Sequence, residues 1–97
     1  MRTPPLQVSP EIIRPPPDLV VDEGDSILIE CVARGFPIPW IRWHQNGNPA
    51  PFNGSVLQIT RVSSHHTGVY RCVAENVAGS ASASALLAVR GQVVLFI

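Results

Sequence analysis

"SSHHTGVYRCVAE", residues 63–75, admits two incompatible readings. His65 and His66 stand just ahead of Cys72, one of only two cysteines, and His and Cys are residue types that zinc prefers. The same run also alternates like a strand. Tyr70, Cys72 and Ala74 fall on one side, with Arg71, Val73 and Glu75 on the other. Metal centre or sheet: the second cysteine decides.

Cys31 lies in "SILIECVA", residues 26–33, where Ile27, Ile29, Cys31 and Ala33 share one side. Leu28, Glu30 and Val32 occupy the other, and the β-branched content supports a strand. Both cysteines therefore fall on the inward parity of separate strands. A zinc site built on them needs two more ligands, and neither CxxC nor HxxxH spacing occurs. Adjacent residues such as His65 and His66 also point apart on most backbones, so their rings do not converge on one ion. A disulfide between facing sheets needs nothing more. Closing that span of 41 residues stabilises a fold by about 4 kcal/mol on the chain-entropy view. Oxidised cysteines imply an extracellular setting. The histidines read as turn surface, with His66 hydrogen-bonded locally.

Working outward, short strands and turn signals recur. Ile12-Ile13 and Leu19-Val21 flank "RPPPD", and three prolines confine that first, broken strand to a sheet edge. "DEGD" at 22–25 is a turn, and "RGFPIP" at 34–39 is a loop. "WIRWHQ" at 40–45 puts Ile41 and Trp43 inward and Trp40, Arg42 and His44 outward. Asn46-Gly47 is a strong tight-turn pair. "NPAPFNGS" leaves room only for a short, proline-limited strand. "VLQIT" points Leu57 and Ile59 inward, and "SASASALLAV" alternates again. No convincing helix appears, so the class is all-β, a sandwich or barrel.

Totals exclude several functions. The 97 residues make one domain, at a size that benefits from a staple. Formal charge sums to zero, with seven arginines and no lysine, which removes a charge-driven case for nucleic acid. No stretch approaches the roughly 20 apolar residues of a spanning helix, so direct membrane insertion is not expected. There is no GxSxG elbow and no glycine-rich phosphate loop. The expectation is a non-enzyme without cofactor or metal. Residues 1–9 read as a proline-rich linker of a longer protein, 10–90 as the domain, and the apolar "QVVLFI" run within 91–97 as a tail or linker start.

Cys31, Trp43, Leu57, Ile59, Gly68, Tyr70 and Cys72 together resemble the immunoglobulin fold, with the Tyr two residues before the second Cys. "GDSILIECVARGFPIPWIRWHQNG" followed by "LQITRVSSHHTGVYRCVAENVAGSASASALLAV" is similar to the I-set subtype of adhesion molecules, cell-surface receptors and matrix proteoglycans. The resemblance covers about residues 10–90. It implies a Greek-key sandwich of two antiparallel sheets, with Trp43 packed on the disulfide and Leu57 and Tyr70 in the core. Two departures stand out. His66 occupies the place of a family Asp that often pairs with a basic residue, and residues 44–56 contain no Arg or Lys. The same segment is short, so the fourth strand is expected to be abbreviated or missing.

By parity, Trp40, Arg42 and His44 share a sheet face with Arg71, Val73 and Glu75, and then with Ser82, Ser84 and Leu86. Trp and Arg are enriched at binding hot spots, so this is the candidate surface for protein partners. Trp40 could instead fold over the "GFPIP" loop and cover the end of the core. Arg42, Arg71 and His44 on the same face leave a glycosaminoglycan reading open. Asn53-Gly54-Ser55 is an N-glycosylation acceptor in a surface loop. The functional expectation is an extracellular spacer and protein-binding module beside neighbouring immunoglobulin domains. An intracellular, sarcomeric-type repeat is the alternative.

Overall fold

In a computed structural model, which describes residues 6–91, nine strands form two facing layers. The chain opens with β1 (Val8–Arg14). Pro15, Pro16 and Pro17 then end that pairing, and the chain crosses to the opposite layer as β2 (Leu19–Asp22). Asp18 fixes the crossing, because its carboxylate accepts from the Leu86 amide at 2.8 Å. Each half of the broken first strand is thus an edge, one per layer, as prolines require.

The run from Ile27 to Phe36 serves two neighbours in succession. β3 (Ile27–Glu30) pairs with β7 (Val56–Ile59), whereas β4 (Val32–Phe36) pairs with β1. Cys31 marks the changeover, and its amide still donates to Ser55 at 2.8 Å. The first layer therefore runs β1, β4 with β3, then β7. The second layer is a five-stranded sheet, β2-β9-β8-β5-β6, with β5 (Trp40–Gln45), β6 (Asn48–Asn53), β8 (Gly68–Asn76) and β9 (Gly79–Arg90). Its pairs are antiparallel except β2 with β9, which is parallel.

Alternation sorts the side chains cleanly. Ile27, Ile29 and Cys31 meet Ile41, Trp43, Tyr70, Cys72 and Leu87 in one core, with Leu57, Ile59 and Val62 closing it from β7 and the following loop. Cys31 and Cys72 are fully buried and joined by a disulfide across the layers, their Cα atoms 6.5 Å apart. Trp43 sits directly across from Cys72 in the β5–β8 ladder.

The boundaries shift in three places. β1 begins at Val8, inside the stretch read as linker, because Val8 pairs with Phe36. For the same reason β4 continues to Phe36, through half of the expected "RGFPIP" loop. The proline-limited segment forms β6, six residues long, on the outer edge of the five-stranded sheet. Pro49 and Pro51 are tolerated there because an edge strand needs donors on one side only. Among the described residues no further strand lies between β6 and β7. The apolar run at 92–97 lies outside the described residues.

Candidate protein-binding face

The outward rows of β5 and β8 interlock in register: Trp40 opposite Glu75, Arg42 opposite Val73, His44 opposite Arg71. β9 extends the grid on one side with Ser80, Ser82 and Ser84 opposite Glu75, Val73 and Arg71. On the other side β6 places Asn53 beside Arg42 and Pro49 beside His44. The face is therefore four strands wide and rigidly ordered, since each of these strands except β6 is hydrogen-bonded on both sides.

Its charges are mostly spoken for. Arg42 forms an ion pair with Glu75, both about half exposed. Such a surface pair contributes about 0–1 kcal/mol, so its effect is mainly to neutralise the patch. Arg71 donates to Ser82 at 3.2 Å. The two arginines of the glycosaminoglycan reading thus do not form a free basic pair. His44 is half-buried, and its Nδ1 is enclosed with no hydrogen-bond partner among the described residues.

Trp40 is 75% exposed. It stands at the start of β5, where the β4–β5 connection contributes Ile38, 88% exposed, and Pro39 to a shallow cleft along the indole. Asn53 is exposed at the end of β6, immediately before Gly54, whose φ of +91° makes the turn into β7. Placing this sequon on the rim of the face escaped sequence reasoning. Counting back from the Asn46-Gly47 turn puts Pro51 opposite Arg42, but a register irregularity between the Arg42 and His44 pairs brings Asn53 there instead.

At the opposite end, the two histidines form a 3-10 turn, Ser64–His66. His66 Nδ1 accepts from the Ser63 amide at 2.8 Å, and the His66 amide donates back to the Ser63 carbonyl at 3.0 Å. The imidazole thereby satisfies a turn donor of the kind that a carboxylate commonly takes at such positions. Gln45 donates to the His65 carbonyl, tying this turn to β5. The Cys72 sulfur is in the disulfide, and among the described residues no three metal-ligating side chains converge.

The Tyr70 hydroxyl donates to the His66 carbonyl at 2.7 Å, locking the turn onto β8. Burial raises its pKa above the ordinary 10.0 by desolvation of the phenolate. The unfolded chain then loses this proton at a lower pH than the folded one. The resulting stability is present below about pH 10 and is lost as pH rises through the folded value. The sequence has one tyrosine and no lysine, and both cysteines are bridged, so Tyr70 dominates titration in that range. Denaturant midpoints of the unmodified chain are expected to fall between pH 9 and 11. Tyr70→Phe is expected to start lower, having lost about 1 kcal/mol of hydrogen bonding, but to stay flat.

Comparison with known proteins places this geometry. The sequence profile of the family described as Immunoglobulin domain matches residues 9–76. The chain is 39% identical to Interference hedgehog of Drosophila mojavensis, over 87% of this chain and 10% of that protein. It is 37% identical to Roundabout homolog 1 of Homo sapiens, over 84% of this chain and 5% of that protein. Among solved structures, a titin–obscurin-like 1 immunoglobulin complex superposes with a TM-score of 0.81 at 29% identity, covering 90% of this chain and 99% of that one. The chain spans a tenth or less of the length of these curated relatives.

Proposed function

The chain belongs to the immunoglobulin-domain family, and from that premise we propose that it is an extracellular protein-binding and spacer module of a tandem-domain adhesion, receptor or matrix protein. It is a non-catalytic domain, and its work is done by surface complementarity on a rigid sandwich. One observation carries the binding role: Trp40 leaves three quarters of its surface in solvent at the end of an ordered, nearly neutral grid. Trp and Arg are enriched among the residues that anchor protein interfaces, and an indole offers a large apolar area with a polar N–H to a partner. Arg42, His44, Arg71, Val73 and Glu75 supply the surrounding polar and apolar contacts.

The disulfide and the exposed Asn53 sequon support an extracellular location. The resemblance to titin supports the alternative, a repeat spanning intracellular filaments. A sugar on Asn53 would border the face beside Arg42 and confine partners to the β5–β8–β9 side.

The test is cell-surface binding by a multivalent bead display of this domain. Trp40→Ala is expected to weaken the bound signal by at least about tenfold, the scale of a Trp hot spot, with an unchanged melting temperature. Undiminished binding by Trp40→Ala would remove this face from consideration. Retention of the unmutated domain on heparin in physiological salt, lost in Arg42→Ala/Arg71→Ala, would replace the protein partner with a glycosaminoglycan.

A further inference from the structure

The two layers end in four strand edges, and three of them are guarded. β6 carries Pro49 and Pro51; β1 carries Pro10, Glu11 and Arg14; β2 follows three prolines and ends on Asp22, which is paired with Arg90. Prolines and charges of this kind are how sheet edges avoid pairing with other chains. β7 is different. Among the described residues it is hydrogen-bonded to β3 alone, and no strand separates it from β6. From Asn53 through Thr60 the sequence holds neither a proline nor a charge.

The ladder fixes which groups are open. Cys31 donates to Ser55, so Ser55, Leu57 and Ile59 are the residues that bond toward β3. By alternation the amides and carbonyls of Val56 and Gln58 face away from β3. Among the described residues, none of the turn, loop or side-chain hydrogen bonds reaches them. Val56 is 43% exposed, and Leu28, opposite Gln58 on β3, is 57% exposed. The open edge is therefore flanked by apolar surface.

We propose that this edge pairs with the same strand of a second copy, antiparallel about a two-fold axis through Leu57. The spacing is self-complementary. Val56 of one copy faces Gln58 of the other, and each of the two pairs exchanges two main-chain hydrogen bonds. This register sets Thr60 against Gly54 and Arg61 against Asn53, so no like charges oppose each other. A two-fold contact is closed, giving a dimer and not a fibre. Four hydrogen bonds and a narrow apolar border place it in the small, weak class of interfaces. The occupant is specified by main-chain pairing, independently of the Trp40 face.

Sedimentation velocity on the full chain, from about 10 μM to about 1 mM, spans the range of such weak contacts. A concentration-dependent monomer–dimer equilibrium is expected. Gln58→Pro deletes an outward donor without touching the β3 ladder, and should weaken dimerisation at least tenfold while keeping the cooperative unfolding transition. Hydrogen exchange on the unmutated chain gives a second reading that does not rely on the variant. The Val56 and Gln58 amides should slow at high concentration, while Leu57 and Ile59 stay unchanged. A monomer throughout the range overturns the proposal. So does a dimer that persists in Gln58→Pro, or one that leaves the Val56 and Gln58 amides exchanging as in the dilute chain.

Discussion

Trp43→Ala is expected to lower the free energy of unfolding by about 3–5 kcal/mol, the range for deleting a buried large aromatic. Trp43 is 1% exposed and lies across from Cys72 in the ladder, so its removal opens a cavity against the disulfide itself. Its Nε1 also donates to the Gly54 carbonyl at 2.8 Å, which ties the β6–β7 turn to the core. The alanine variant loses packing and leaves that carbonyl to water. Against a domain stability of about 5–15 kcal/mol, that loss removes a large share of the margin. Urea titration followed by far-ultraviolet circular dichroism reads the loss. Trp43→Phe separates the two contributions, since it keeps most of the volume and forfeits the hydrogen bond, at about 1–3 kcal/mol. Equal stability of Trp43→Ala and the unmodified chain would contradict the packing described.

Removal of the disulfide is the second large effect. Cys31→Ala/Cys72→Ala opens a loop of 41 residues, with an expected loss of about 4 kcal/mol. Both sulfurs are fully buried between the layers, so the alanines also leave a small void beside Trp43. That shared neighbour makes the effects of the cysteine and tryptophan changes non-additive, and the triple variant should lose less than the sum. Urea midpoints of the four proteins form the cycle. Strict additivity would mean that Trp43 and the bridge do not share a cavity.

Much of this architecture was legible in the sequence because a strand's period of two is unambiguous once one residue is placed. Cys31 and Cys72 set the inward parity of two strands and place Ile29 and Tyr70 by counting, while Trp43 and Leu57 follow from the alternation of their own strands and from the immunoglobulin resemblance. What could not be counted depended on registers that the chain breaks. The shift between the Arg42 and His44 pairs moved Asn53 onto the candidate face, and the pairing of Val8 with Phe36 lengthened both β1 and β4. The histidine pair was legible as turn surface, but its use of Nδ1 on the Ser63 amide required the backbone geometry of the 3-10 turn. The open edge of β7 was announced by the short segment at 48–55, yet which carbonyls and amides face outward rests on the Cys31–Ser55 bond. Local pattern places residues on faces, and long-range register decides what they meet.

The function proposed here depends on where the sandwich lives, and the redox state of its core reports that directly. The protein isolated from its natural source under alkylating conditions, without reductant, provides the measurement. An extracellular module predicts that neither Cys31 nor Cys72 is alkylated until the chain is reduced, with a peptide map showing the two joined. Full alkylation of both cysteines in the unreduced protein would contradict the extracellular reading and favour the intracellular repeat.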